Sequence, residues 1–405
     1  MAEVRDIVEN VRQRGDAALR EYSVRFDKVE LDEIRVPASE IDSARDRLDP
    51  DLLRALIEAA ESVESFHRHR SPKPGTYERN GITVDLLELP VARVGAYVPG
   101  GLASYPSSVL MCAIPARVAG VESIALCVPP APDGTIPPEV LAAAGLAGVE
   151  EIYRIGGAQA IAAMAYGTET IAPVDVVVGP GSRWVSLAKL AVRGSVGMPA
   201  AFAGPSEVVV IADETVPVDY VAIDLVVQAE HGPDGLAWLI TWSEPVLKAV
   251  TEAVDRLVES SPRRAEIEAT LAAGGYAVLV DGPQQALSVS NDIAPEHLEL
   301  CCENPQALVP LVRNAGAVFL GPYAPASLGD YLAGPSHTLP TFRSARYSSV
   351  LGVEDFLRRV HVISADRAAI GRAAPHIAAI ARAEGLAAHA QSALLRSEGE
   401  DRGGK

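Results

Sequence analysis

This sequence of 405 residues predicts an α/β fold built on parallel sheets, and three observations carry that prediction. Short apolar runs recur through the middle of the chain. Gly or Pro punctuates their ends. Helix-length stretches separate them. Strands joined by helical connections form parallel sheets covered by helices. The length exceeds what one core holds and implies two or more domains.

The elements follow in order. "MAEVRDIVENVRQRGD" is charged from its third residue and reads as an amphipathic helix, not a signal peptide. The first 90 residues are expected to be mostly helical and to pack onto the later strands. A first series of strands is expected at "RVGAYV" (93–98), "SIALCV" (123–128), "EIYRI" (151–155) and "VDVVV" (174–178). A second is expected at "EVVVIA" (207–212), "AWLITW" (237–242), "AVLVD" (277–281) and "AVFLG" (317–321). From about Asp366 the chain is Ala-rich helix, followed by a polar tail, "SEGEDRGGK", with a disordered composition. No apolar run reaches the roughly 20 residues that span a bilayer.

Charge narrows the function. Asp and Glu number 53 against 35 Lys and Arg, a net charge of −18. Nothing in that balance offsets phosphate repulsion, so nucleic acid is excluded as a partner. A cationic small molecule suits it better. The cysteines, Cys112, Cys127, Cys301 and Cys302, show no CxxC spacing. Neither a disulfide framework nor a thiolate zinc site is indicated, and a reduced, cytoplasmic setting is the expectation.

Several motifs carry chemistry. "YVPGG" (97–101), "IGGAQA" (155–160) and "VGPGSRW" (178–184) each follow a strand and open a helix. Backbone N–H groups and the helix dipole hold phosphate at such turns, although Gly also serves any tight strand-to-helix turn. None is a GxGxxG fingerprint. "QAEHGP" places Gln228 and His231 three apart at a helix stop, on one face. The pair suits either two ligands of one metal or a His favoured by the helix dipole. "APEHLEL" sets Glu296 beside His297. Pro295 disfavours a helix there and biases Ala294 toward extended backbone, which allows an irregular turn where the two neighbours converge. "LGDYLAGPSHTLPT" carries Asp330 and His337 in a Gly/Pro-rich loop, and "EGLAAHA" carries Glu384 and His389. Alone, Asp330 also reads as a cap and His389 as a surface residue.

Taken in order, "YVPGG", "YPSSVLM", "GGAQAIAA", "GPSEV", "QAEHGP", "APEHLEL", "LGDYLAGPSHTLPT" and "EGLAAHA" resemble histidinol dehydrogenase from about Val4 to Ala393. The resemblance implies two incomplete Rossmann-like domains, a homodimer, one zinc per site, and oxidation of L-histidinol to L-histidine through the aldehyde with NAD. It implies zinc ligands at Gln228, His231, Asp330 and His389, the last from the other subunit. It implies Glu296 and His297 as the catalytic pair, Ser206, His337 and Glu384 as substrate-binding residues, and Tyr97, Gln159 and Ser182 at NAD. The strand series and the resemblance together divide the chain into a first α/β domain (1–96 plus 212–350), an NAD-binding domain (97–211) and a C-terminal dimerisation segment with a flexible tail (351–405). Two alternatives share these residues. One is a paralogous zinc- and NAD-dependent dehydrogenase of another small alcohol, such as sulfopropanediol. The other is a zinc hydrolase in which Glu296 activates water.

Three positions depart from the family pattern. Ser182 stands where Asn is usual, and it can cap a helix but offers fewer donors. Ala200 stands where Asp is usual, and Ser336 where Asn is common.

Overall fold

A computed structural model describes residues 1–100, 104–199, 206–232 and 235–398. Its twelve strands are β1 (Gly75–Arg79), β2 (Ile82–Pro90), β3 (Arg93–Tyr97), β4 (Ser123–Cys127), β5 (Glu151–Tyr153), β6 (Val176–Val178), β7 (Glu207–Ala212), β8 (Leu236–Thr241), β9 (Gly275–Leu279), β10 (His297–Cys301), β11 (Ala317–Leu320) and β12 (Leu357–Ala365). They form two parallel sheets, ordered β5-β4-β3-β6 and β11-β10-β7-β8-β9, and one antiparallel sheet, β1-β2-β12. The eight expected strands are all present. The α/β prediction holds.

Chain contacts divide the molecule into two units. One comprises 1–71 with 91–356, and the other comprises 72–90 with 357–405. Both parallel sheets lie in the first unit. Every residue of β6, β7 and β10 is buried, as expected for parallel strands covered on both faces.

In the first sheet, β4 and β5 extend to one side of β3, and β6 lies on the other. Chain direction thus diverges between β3 and β6, the topological switch point where open α/β sheets bind ligands. In the second sheet β7 is central, with β8 and β9 on one side and β10 and β11 on the other.

The N-terminal helices correct one expectation. They cover the first series of strands, not the second. Val4, Ile7, Val8 and Val11 of the helix Ala2–Arg14 pack with Ile161, Ala162 and Val177. Leu56 and Val63 of the helix Pro50–Arg70 join Leu110, Leu126 and Leu141. The 1, 4, 5, 8 spacing of apolar residues fixes a helix face but carries no information on which sheet receives it.

The second unit is an antiparallel ribbon followed by a helical hairpin, Arg367–Ala383 and Ala387–Glu398, closed around Ala378, Ala381, Ala390 and Leu394. Its strands lie within a stretch expected to be mostly helical (β1, β2) and ahead of the Ala-rich helix (β12). Eight of nine β12 residues are exposed, so no alternating burial marks it as a strand. Among the described residues no helix is long and apolar enough to cross a membrane. All four cysteines are buried and unbridged.

Candidate active site

A cavity of about 400 Å³ lies where the C-terminal edge of the first sheet meets the N-terminal edge of the second. The first sheet contributes Pro99, after β3, and Pro180 to Arg183, after β6. The second contributes Ser206 and Glu296, which precede β7 and β10, and His297, which starts β10. Gln228 and His231 arrive from the end of the helix Val218–Ala229, and Asp330 and His337 from the segment after β11. The cavity thus collects eight of the residues expected at the site, Ser182 from the first sheet and seven from the second.

Glu296 and His297 do converge, by a route different from the one expected. Ala294 is not extended. It ends the helix Pro283–Ile293 in the left-handed region, φ 54°, with its N–H bonded to the Ser290 carbonyl. Pro295 does exclude right-handed helix there, but the pre-proline preference for extended backbone yields to a helix cap. Pro295 and Glu296 then turn directly into β10, a strand not expected at all. Its buried Glu and His break the apolar run by which the other strands are recognised.

Backbone groups hold both side chains. Glu296 Oε2 accepts from the Glu207 N–H at 3.0 Å, and the carboxylate also accepts from the Ser206 hydroxyl. His297 Nδ1 lies 2.8 Å from the Glu207 carbonyl. A carbonyl only accepts, so Nδ1 carries the hydrogen and Nε2 of the neutral ring presents its lone pair. Nε2 lies 2.5 Å from His337 Nε2, which in turn lies 3.1 Å from Asp330 Oδ1. Gly329 makes room for this line, since a Cβ there would meet His337 Cε1 at 2.7 Å.

Burial dominates the electrostatics. It pushes His297 down to about 4 and His337 well below the usual imidazole range, so both rings are neutral at pH 7. It pushes Glu296 well above the usual carboxylate range, Asp330 up to about 6 and Glu207 up to about 7. Among the described residues no Lys or Arg relieves these three carboxyls. The cavity therefore collects neutral imidazoles and uncompensated carboxyls, a donor set suited to a divalent cation.

Zinc fits on a second observation. Gln228 is 3% exposed, and its side-chain Nε2 has no hydrogen-bond partner among the described residues. A buried amide left unmatched is costly, and because its O and N are interchangeable on geometry, turning the amide presents an unmatched oxygen that a cation would satisfy. Asp330 also groups with His297 and His337, their ligand atoms all lying within 4.8 Å of one another. Gln228 and His231 line the same cavity as that group.

Of the other expected residues, Tyr97, Gln159, Glu384 and His389 do not line the cavity, while Ser182 stands at its first-sheet edge. Tyr97 and Gln159 are buried at the glycine turn after β5, where the Tyr97 hydroxyl accepts from the Gly157 N–H at 3.1 Å. Ser182 is the N-cap of the helix Arg183–Val192, and its side chain makes no cap bond. Glu384 and His389 are exposed residues of the second unit. Ser336 takes its position comfortably, donating to the Met111 carbonyl at 3.0 Å. Ala200 lies outside the described residues.

Sequence reasoning missed Asp224 and Glu207. Asp224 lines the cavity and interacts with the buried Glu299. Its signal was available, since Asp224, Gln228 and His231 recur at i, i+4 and i+7 on one helix face. Glu207 acts through its backbone, which leaves no signal in residue type.

Known proteins resemble the chain along nearly its whole length. A family model for histidinol dehydrogenase matches residues 1–397. Histidinol dehydrogenase of Moorella thermoacetica is 50% identical over 401 residues, covering 98% of this chain and 94% of its own. That of Synechococcus sp. is 48% identical over 404 residues, covering 99% and 93%. The crystal structure of histidinol dehydrogenase from Elizabethkingia anophelis matches with a TM-score of 0.94 at 36% identity, covering 98% of this chain and 91% of that one. An acetylating aldehyde dehydrogenase from Geobacillus thermoglucosidasius, at 15% identity and a TM-score of 0.51, shares the fold alone. With its glycine turns, its Glu–His pair and its family pattern running the length of the chain, the protein belongs to the histidinol dehydrogenase family of NAD-dependent oxidoreductases.

Proposed function

We propose that the chain oxidises L-histidinol to L-histidine through histidinal, the last step of histidine biosynthesis, and that Glu296 and His297 divide the proton transfers. The observation that supports this most is the fixed tautomer of His297. Its Nδ1 is committed to a carbonyl, so Nε2 is the base that faces the cavity.

In the first oxidation, His297 Nε2 takes the alcohol proton as the carbinol C–H leaves as hydride. NAD, when bound, would supply the hydride acceptor. The aldehyde must gain water before a second hydride can leave. Glu296, held by Ser206 and the Glu207 amide, removes a proton from that water as it adds to the carbonyl. His297, having passed its first proton to solvent, then takes a hydroxyl proton from the hydrate while the second hydride departs, which leaves the carboxylate.

Gln228, His231 and Asp330 would hold zinc, with His389 supplied by a second copy of the chain. Zinc supplies binding and orientation of the substrate imidazole and amine. His337 and Ser206, with Glu384, would contact substrate. Ser182, Tyr97 and Gln159 would serve the cofactor in the 97–211 domain, Tyr97 by holding the Gly157 turn. Segment 351–405 would dimerise, and the setting would be cytoplasmic. NADH formation from histidinol, run beside sulfopropanediol and an ester substrate, tests the reading. Reduction of NAD with another alcohol in preference to histidinol would assign the chain to a paralogous activity, and ester cleavage without NAD would assign it to hydrolysis.

A further inference from the structure

Lys189 is fully buried, and no Asp or Glu pairs with it among the described residues. It lies on the second turn of the helix Arg183–Val192, and its ammonium donates to the Gly179 carbonyl, back beyond that helix's start. This direction follows the tilt of helical side chains toward the N-terminus. Burying an unpaired ammonium is expensive, and a surface helix loses nothing by placing Leu there. Burial lowers the group only to about 8, so it remains cationic at neutral pH.

The carbonyl it holds is a demanding one. Gly179 has φ +106°, and a Cβ there would meet the Tyr97 carbonyl oxygen at 2.0 Å. The turn therefore lies directly on the end of β3, and only Gly permits it. The next four residues, Pro180 to Arg183, line the cavity, and Ser182 leaves the first N–H groups of its helix without a side-chain cap. One buried cation thus fixes the entry to a turn that lines the cavity. We infer that Lys189 is a positioning residue for the cofactor, its buried ammonium fixing the Gly179–Arg183 turn and adding positive charge behind the place where the dinucleotide pyrophosphate binds. This rests on the proposed NAD-dependent reaction.

The test uses the full-length, zinc-loaded enzyme. Lys189→Met keeps the volume and removes donor and charge. Loss of one charged hydrogen bond predicts a KM for NAD raised about tenfold or more. The KM for histidinol and the zinc content should be unchanged. ADP-ribose, which carries the pyrophosphate without nicotinamide, should lose affinity in step with NAD. Lys189→Arg covers a Met variant that fails to fold, and it should raise the KM for NAD less while leaving histidinol alone. An unchanged KM for NAD, or equal rises for both substrates in either variant, would overturn the inference. If the unmodified enzyme reduces no NAD with histidinol, it is the proposed reaction that fails.

Discussion

Exchanging Glu296 for Gln separates the two bases. The carboxyl is buried, which raises its pKa well above the usual range and makes its ionised form a stronger base, and the Gln amide matches it in shape. The amide oxygen keeps the 3.0 Å bond from the Glu207 N–H, and the Ser206 hydroxyl can turn to accept from the amide nitrogen. Folding should therefore cost no more than about 1 kcal/mol, the worth of one adjusted hydrogen bond. Catalysis should suffer far more. Removing a general base costs roughly 10²–10⁴ in rate, or about 3–5 kcal/mol of barrier. The assay is pre-steady-state NADH formation, started separately from histidinol and from histidinal. Glu296→Gln should slow oxidation of histidinal by that factor and leave the first hydride transfer nearly intact. His297→Asn should depress both, because Nε2 acts in both. Equal losses in the two half-reactions for Glu296→Gln would refute the division and reduce Glu296 to an electrostatic or positioning role.

Other outcomes follow from the same geometry. Chelation should abolish activity and Zn²⁺ restore it, and Gln228→Ala and Asp330→Ala should each lower zinc content by metal analysis; full occupancy in either would remove that ligand. Mixed His231→Ala and His389→Ala chains should regain activity in heterodimers if two copies build each site; no rescue after verified subunit exchange would mean that one chain suffices. The Arg93 guanidinium, bonded to Glu151 at 2.7–2.8 Å, is the main cause holding that carboxyl down to about 2. A depressed folded pKa contributes stability that is complete above the unfolded value and is lost as pH falls toward 2. Glu151→Gln should cost about 1.5–3 kcal/mol at pH 7 by urea denaturation, toward the low end because the pair is partly exposed. The difference from the parent should shrink below pH 4; a pH-independent difference would contradict the ion pair.

The sequence displayed what local patterning encodes. Apolar runs such as Val176–Val178 became strands, and the amphipathic face at Val4, Ile7, Val8 and Val11 became a buried helix face. The partner of that face was not legible, because helical period says nothing about distant chain. β10 escaped notice because His297 and Glu299 sit inside it, tolerated through backbone partners at Glu207 and Ala326. The exposed ribbon β1-β2-β12 had no burial pattern to display. The site residues were visible as motifs, and the resemblance supplied their proposed roles. Residues around 206, 230, 296 and 335 gather only through the sheet order that sets β10 beside β7. The Glu207 backbone, which fixes both catalytic side chains, had no signature in residue type.

The central claim is a four-electron oxidation in one cavity, and the stoichiometry of NADH tests it most directly. With zinc-loaded enzyme, limiting L-histidinol and excess NAD, the account predicts two NADH per histidinol, histidine as product and no free histidinal. One NADH with histidinal released would contradict it, because the cavity would then lack the water-activating base assigned to Glu296.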